Sequence, residues 1–147
     1  MSCTPPVRSV TVAQRAPVFS SADTSPGENF IPLSPESLDA LAAVLKSFRA
    51  TLTVESSTVG VKVDLAWQTS EDGVTWGNGT TSGSSVKFGS TLTGVGMGPK
   101  TSTSDWIAMP TAVKRFIRWG VVVGQNAGVN TLQACVVTLD LDLESRS

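Results

Sequence analysis

The chain has 147 residues, enough for one domain burying about two-thirds of its unfolded surface, and its formal charge of −1 supplies no field to draw it onto nucleic acid or anionic lipid. Charged residues make up 16%, against roughly 25% in an ordinary soluble domain, so a hydroxyl-rich surface that suits an assembling protein is expected. Histidine is absent, which removes the commonest general base, the usual partner of a catalytic Ser or Cys, and the commonest zinc ligand.

Met1 to Pro6 has neither the basic region nor the apolar region of a signal peptide, and no later run approaches the roughly 20 apolar residues of a membrane span. A soluble chain made in a cytoplasm is expected. Residues 1–33 hold five of the eight prolines, which remove ladder donors and fix φ. They predict an extended N-terminal arm with at most a short edge strand over Ser9 to Gln14. The alternative is a segment that packs back on its own domain. The rest of the chain, 34–147, reads as a single β domain. Ser34-Pro35-Glu36 has the form of a helix start, and Leu38, Leu41, Ala42 and Leu45 follow at helical spacing. One short helix over Pro35 to Lys46 is predicted.

From Phe48 the period becomes two, with Phe48, Ala50, Leu52 and Val54 on one face and Arg49, Thr51, Thr53 and Glu55 on the other. A second strand alternates from Val59 to Gln68, which makes Glu55 to Thr58 a hairpin connection. Asp72-Gly73 is a hairpin turn signal between Trp67 and Trp76, and it predicts neighbouring indoles. After a Gly, Asn, Ser and Thr stretch come a weak strand at Val86 to Leu92 and a flexible loop at Gly94 to Ser104. A strand over Lys114 to Val123 places Ile117, Trp119, Val121 and Val123 on one face. The last, over Thr131 to Glu144, sets Cys135, Val137, Leu139, Leu141 and Leu143 against Val136, Thr138, Asp140, Asp142 and Glu144. About six to eight strands with turns between them describe a mainly β protein, an antiparallel β-sandwich of jelly-roll type. A closed barrel is the alternative.

No catalytic, cofactor-binding or metal-ligating constellation is found. Cys3 and Cys135 are too few for a disulfide framework or a zinc cluster, and Cys135 reads as a small core residue. Gly94-Val95-Gly96-Met97-Gly98 has no helical pattern behind it, so it reads as a loop rather than a phosphate cradle. Asp64, Glu71, Asp72 and Asp105 are explained by a strand face and by turns, which leaves no acid and base pair. Asp140, Asp142 and Glu144 read as a solvated face or a salt-bridge row rather than a calcium site. Lys114, Arg115 and Arg118 form the one basic cluster. It serves either as a contact for an acidic neighbour such as the 140–144 face of another subunit, or as the partner of that face within one domain.

Ser70-Glu71-Asp72-Gly73-Val74-Thr75-Trp76 resembles the Asp-box hairpin of sialidase-like proteins, one residue short and present once, which implies a hairpin shape and no sialidase activity. Leu65 to Trp76 together with Arg115 to Val123 resemble core strands of discoidin-like carbohydrate-binding sandwiches. The same style is similar to accessory proteins of tailed bacteriophages, with a proline-rich arm, Ser/Thr/Gly-rich loops and few charges. That resemblance implies a non-enzymatic virion structural protein, a capsid decoration or tail subunit, without cofactor. Its partners would be other virion proteins and copies of itself, with no nucleic acid and no membrane. Pro5, Pro6, Val7, Val10 and Val12 of the arm, with Lys114, Phe116 and Arg118, are the candidate subunit contacts. The alternative is a carbohydrate-binding module in which Trp76 or Trp106 stacks on sugar rings of a host-surface glycan.

Overall fold

A computed structural model of the chain describes residues 7–20, 30–33, 45–57, 61–78, 85–95, 99–109, 115–125 and 133–145. They form nine strands: β1 (Val7–Ser20), β2 (Phe30–Pro32), β3 (Leu45–Ser57), β4 (Val61–Ser70), β5 (Val86–Val95), β6 (Lys100–Thr103), β7 (Ile107–Ala108), β8 (Phe116–Gln125) and β9 (Gln133–Ser145). Two antiparallel sheets result. Sheet I has the order β1-β9-β3-β6, with β7 also on β3, and sheet II the order β2-β8-β4-β5. Apart from β4–β5, and β6–β7 along one edge, every chain-consecutive pair of strands lies in opposite sheets.

The period-two patterns explain why these segments face each other. On β9, Cys135, Val137, Leu139, Leu141 and Leu143 are buried while the residues between them are half-buried. On β3, Phe48, Ala50, Leu52 and Val54 are wholly buried. Sheet II supplies Val61, Val63, Leu65 and Trp67 from β4 and Ile117, Trp119, Val121 and Val123 from β8 to the same core. Phe48 sits at its centre. Its ring meets Trp67 at 6.0 Å, Phe88 at 5.4 Å and Trp119 at 5.4 Å, all edge to face, which is the favoured arrangement for aromatic quadrupoles.

Two backbone positions require their residues. Gly120 lies beside β2, where an added Cβ would stand 2.1 Å from the carbonyl oxygen of Ile31, so only glycine lets β2 reach β8. Arg15 has φ +49°, within the second of two register shifts, that between Ala13 and Ala16, and its N–H donates to Thr138 Oγ1 at 3.1 Å. Such bulges twist an edge strand and discourage further pairing along it.

Several expectations are corrected. There is no helix among the described residues; most of the predicted helix, 35–44, lies outside them, and its final residues Leu45 and Lys46 open β3. Leu45 is 1% exposed and in register with Ser145, so the sheet claims it. Glu55 to Thr58 is not a hairpin connection, because β3 and β4 belong to different sheets. The indoles of Trp67 and Trp76 are not neighbours: Trp67 points into the core against Phe48, whereas Trp76 packs on Phe116 and Arg118. Within the segment expected as an arm, residues 7–20 are the edge strand of sheet I, in register with β9 from Val7↔Glu144 to Ser20↔Gln133, and 30–32 belong to sheet II. Val18, at 2% exposure, is part of the core.

Candidate functional site

The outer face of sheet I carries transverse rows of polar side chains set by the strand registers. In one row Ser9 of β1 faces Asp142 of β9, and Asp142 faces Arg49 of β3. Ser9 Oγ donates to Asp142 Oδ1 at 2.7 Å, and Arg49 donates to Oδ2 through Nε at 3.0 Å and Nη2 at 2.7 Å. The Arg49 guanidinium carbon stands 4.9 Å from the ring centre of Trp106, extending the row to the β7 edge. Next to it, Thr11 donates to Asp140, and Thr51 and Thr103 share a hydrogen bond of 3.2 Å. Thr53 pairs in the same way with Thr101, and Thr138 donates to Glu55. On the other side Ser47 donates to Glu144, which also lies 3.5 Å from Lys46 Nζ.

This face is hydroxyl and carboxylate, with one large aromatic in it. Trp106 is 40% exposed, whereas Trp67, Trp76 and Trp119 are all buried. The Ser9 hydroxyl first, and then Arg49, holds the Asp142 carboxyl below the usual carboxylate range. Alternation along β3 and β9 made the wet face legible, but the row is a property of register. Nothing in the sequence set Arg49 beside Asp142 or Trp106 beside Arg49.

The outer face of sheet II is different. Arg118 donates to Gln68 Oε1 through Nε at 3.0 Å and Nη2 at 2.6 Å, and its guanidinium lies 4.3 Å from the Trp76 ring centre and 5.3 Å from that of Phe30. Trp76 meets Phe116 at 6.4 Å. Of the expected subunit contacts, Phe116 and Arg118 therefore come together, around Trp76, and both are half-buried. Trp76, at 8% exposure, presents no open stacking face. Pro5, Pro6 and Lys114 lie outside the described residues, and Val7 is described only as the first residue of β1. Val10, in register with Leu141, is 37% exposed at the border of the sandwich, and Val12 packs on the core. The acidic face of β9 pairs with β1 and β3 rather than with β8, so Arg118 of the basic cluster is not set beside it in a sheet.

The loop between β4 and Trp76 is tied by its own side chains. Asp72 Oδ1 accepts from the N–H groups of Val74 and Thr75, each at 2.8 Å, and from Ser70 Oγ at 3.0 Å, while Ser70 Oγ accepts from Gly73 N at 2.9 Å. Gly73 has φ +75°, and Thr69 and Gly77 close the loop with paired backbone bonds. The backbone donors of Thr75 and Val74 are the main reason that Asp72 is held down to about 2. This explains the carboxylate without any role in catalysis. Asp64 is occupied as well, bonded by Thr91 and 3.9 Å from Lys87 Nζ. Cys135 is a free thiol, 3% exposed, pushed up to about 11 by burial. Among the described residues no group of three or more Cys, Asp or Glu is placed to hold a metal ion, and no helix is long and apolar enough to cross a membrane.

No protein family and no curated protein matches the sequence. Solved structures do match in fold. Chains from the structure of the Gx strain of infectious bursal disease virus superpose on 95% of this chain with a TM-score of 0.60 and 14% identity. The Gt strain of the same virus gives 0.56 at 14%, and an infectious bursal disease virus VP2 subviral particle 0.57 at 15%, each again over 95% of this chain. The chain spans about a third of the length of those proteins, 32% for the first and 33% for the other two. At these identities the likeness is one of fold.

Proposed function

We propose that the chain is a non-enzymatic structural protein of a virion, a building block that works in many copies beside other virion proteins. The observation that carries this reading is the winding. With β6 and β7 taken as one broken edge strand, the orders β1-β9-β3-β6 and β2-β8-β4-β5 are those of an eight-stranded jelly roll, an architecture recurrent in capsids. Support also comes from the superposition of nearly the whole chain on a third of a bursal disease virus particle protein. The low share of charged residues and the net charge near zero suit a subunit that spends its life against neighbours. The carboxylates fit a structural role, since Asp64, Asp72, Asp140 and Asp142 are each engaged by neighbouring donors. Within this class, the likeness in style to accessory proteins of tailed bacteriophages narrows the reading to a capsid decoration or tail subunit.

The test is biochemical. Particles banded on a density gradient from a culture carrying the sequence should contain the chain in multiple copies when their proteins are quantified by peptide mass spectrometry. A chain present in the lysate and absent from the particles would overturn the reading.

A further inference from the structure

We propose that the row Ser9–Asp142–Arg49–Trp106 on the outer face of sheet I is a binding site for a neutral saccharide chain, with Trp106 as its stacking platform. The proposal does not rest on the virion reading.

Trp106 carries the argument first. Among the described residues it is the exposed tryptophan, while the other three are buried in the core or under Arg118. An indole left 40% open to water forgoes stabilisation that its burial would supply, and its flat apolar face matches the C–H face of a pyranose ring. The indole is not loose, because the Arg49 guanidinium lies against it at 4.9 Å and is itself anchored on Asp142 by two bonds. Such a preorganised ring loses little freedom when a ligand stacks on it.

Beside the platform lie the groups that would orient sugar hydroxyls. Two of the five N–H donors of a guanidinium go from Arg49 to Asp142, and its remaining donors can serve a ligand oxygen. Asp142 keeps acceptor capacity next to Ser9, and the neighbouring row of Thr11, Asp140, Thr51 and Thr103 continues the same chemistry two residues further along the strands. Charge selects the class of glycan. The two rows beside the platform bond one cation, Arg49, and two carboxylates, Asp140 and Asp142. A strip with more acid than base next to the indole disfavours a sialylated or uronic chain, so a neutral hexose polymer is the fitting ligand.

The full chain, labelled with 15N, would be titrated with maltohexaose, cellohexaose and hexa-N-acetylchitohexaose as neutral probes and with 3′-sialyllactose as the anionic one. At least one neutral probe should shift the Trp106 indole N–H signal and quench the solvent-exposed part of the tryptophan emission. Trp106→Ala should weaken that binding at least about tenfold, the scale of a lost stacking contact, and Asp142→Asn should weaken it as well. Unchanged Trp67 and Trp119 signals in both variants would establish that the fold is kept. Three results would overturn the proposal: no neutral probe bound up to about 10 mM, binding that survives Trp106→Ala, or tighter binding of the sialylated probe.

Discussion

A carboxylate at the start of a tight loop stabilises the N–H groups ahead of it, and Asp72 does so for both Val74 and Thr75. Because the ionised form is the one that is bonded, its pKa falls from 3.8 to about 2 on folding. A depressed folded value means that the stabilisation is present above the unfolded value and lost as pH falls through the folded one. The Val74 and Thr75 amide signals should therefore titrate with a midpoint near 2, and their hydrogen exchange should speed up over the same window. A midpoint at the ordinary 3.8 would remove the cap from the account. The Asp-Gly dipeptide made the turn legible, but not its destination: the loop returns Trp76 to Arg118 on the outer face of sheet II. At the core, Phe48 meets three aromatic rings and is wholly buried, so Phe48→Ala leaves a cavity among them. Its cost should be about 3–5 kcal/mol, read as a lower urea midpoint at constant slope.

Among the elements, β1 changes the meaning of the N-terminal segment. Prolines and a turn-rich stretch suggest an arm, yet Val7–Ser20 pairs along β9 and places Val18 in the core. Removing residues 1–20 would strip β9 of one of its two partners and leave a long strand, apolar on one face, as a sheet edge, an arrangement prone to aggregation. The truncated chain should be insoluble or lack the cooperative transition of the full chain in thermal circular dichroism. A truncated chain that stayed soluble and folded would show that the sandwich stands without β1 and return the segment to the role of an arm. β9, β3 and β8 were legible because their alternation needs only one dry face. Two elements were read otherwise for the same reason: local pattern was weighed without its tertiary partner. Leu45 fits helical spacing with Leu38 and Leu41, but its burial opposite Ser145 makes it strand. The Glu55 to Thr58 connection fits a hairpin, but alternation is identical whether the next strand pairs beside β3 or crosses to the facing sheet.

At the scale of the molecule, composition and periodicity by themselves determined that the chain is β, that its apolar residues alternate into one core, and that it lacks the histidines on which much catalysis depends. These are properties of single strands and of counts, which no partner can alter. Only the tertiary structure decided the winding, in which β1 meets β9 across nearly the whole chain, and with it the identity of each outer face. Asp142 of β9 met Arg49 and Ser9 instead of Arg118, and Trp106 rather than Trp76 stayed open to solvent. The physical reason is that an alternating strand states which of its faces is dry but not which strand lies beside it. Neighbours follow from the global packing of two sheets, and the chemistry of the exposed rows follows from the neighbours.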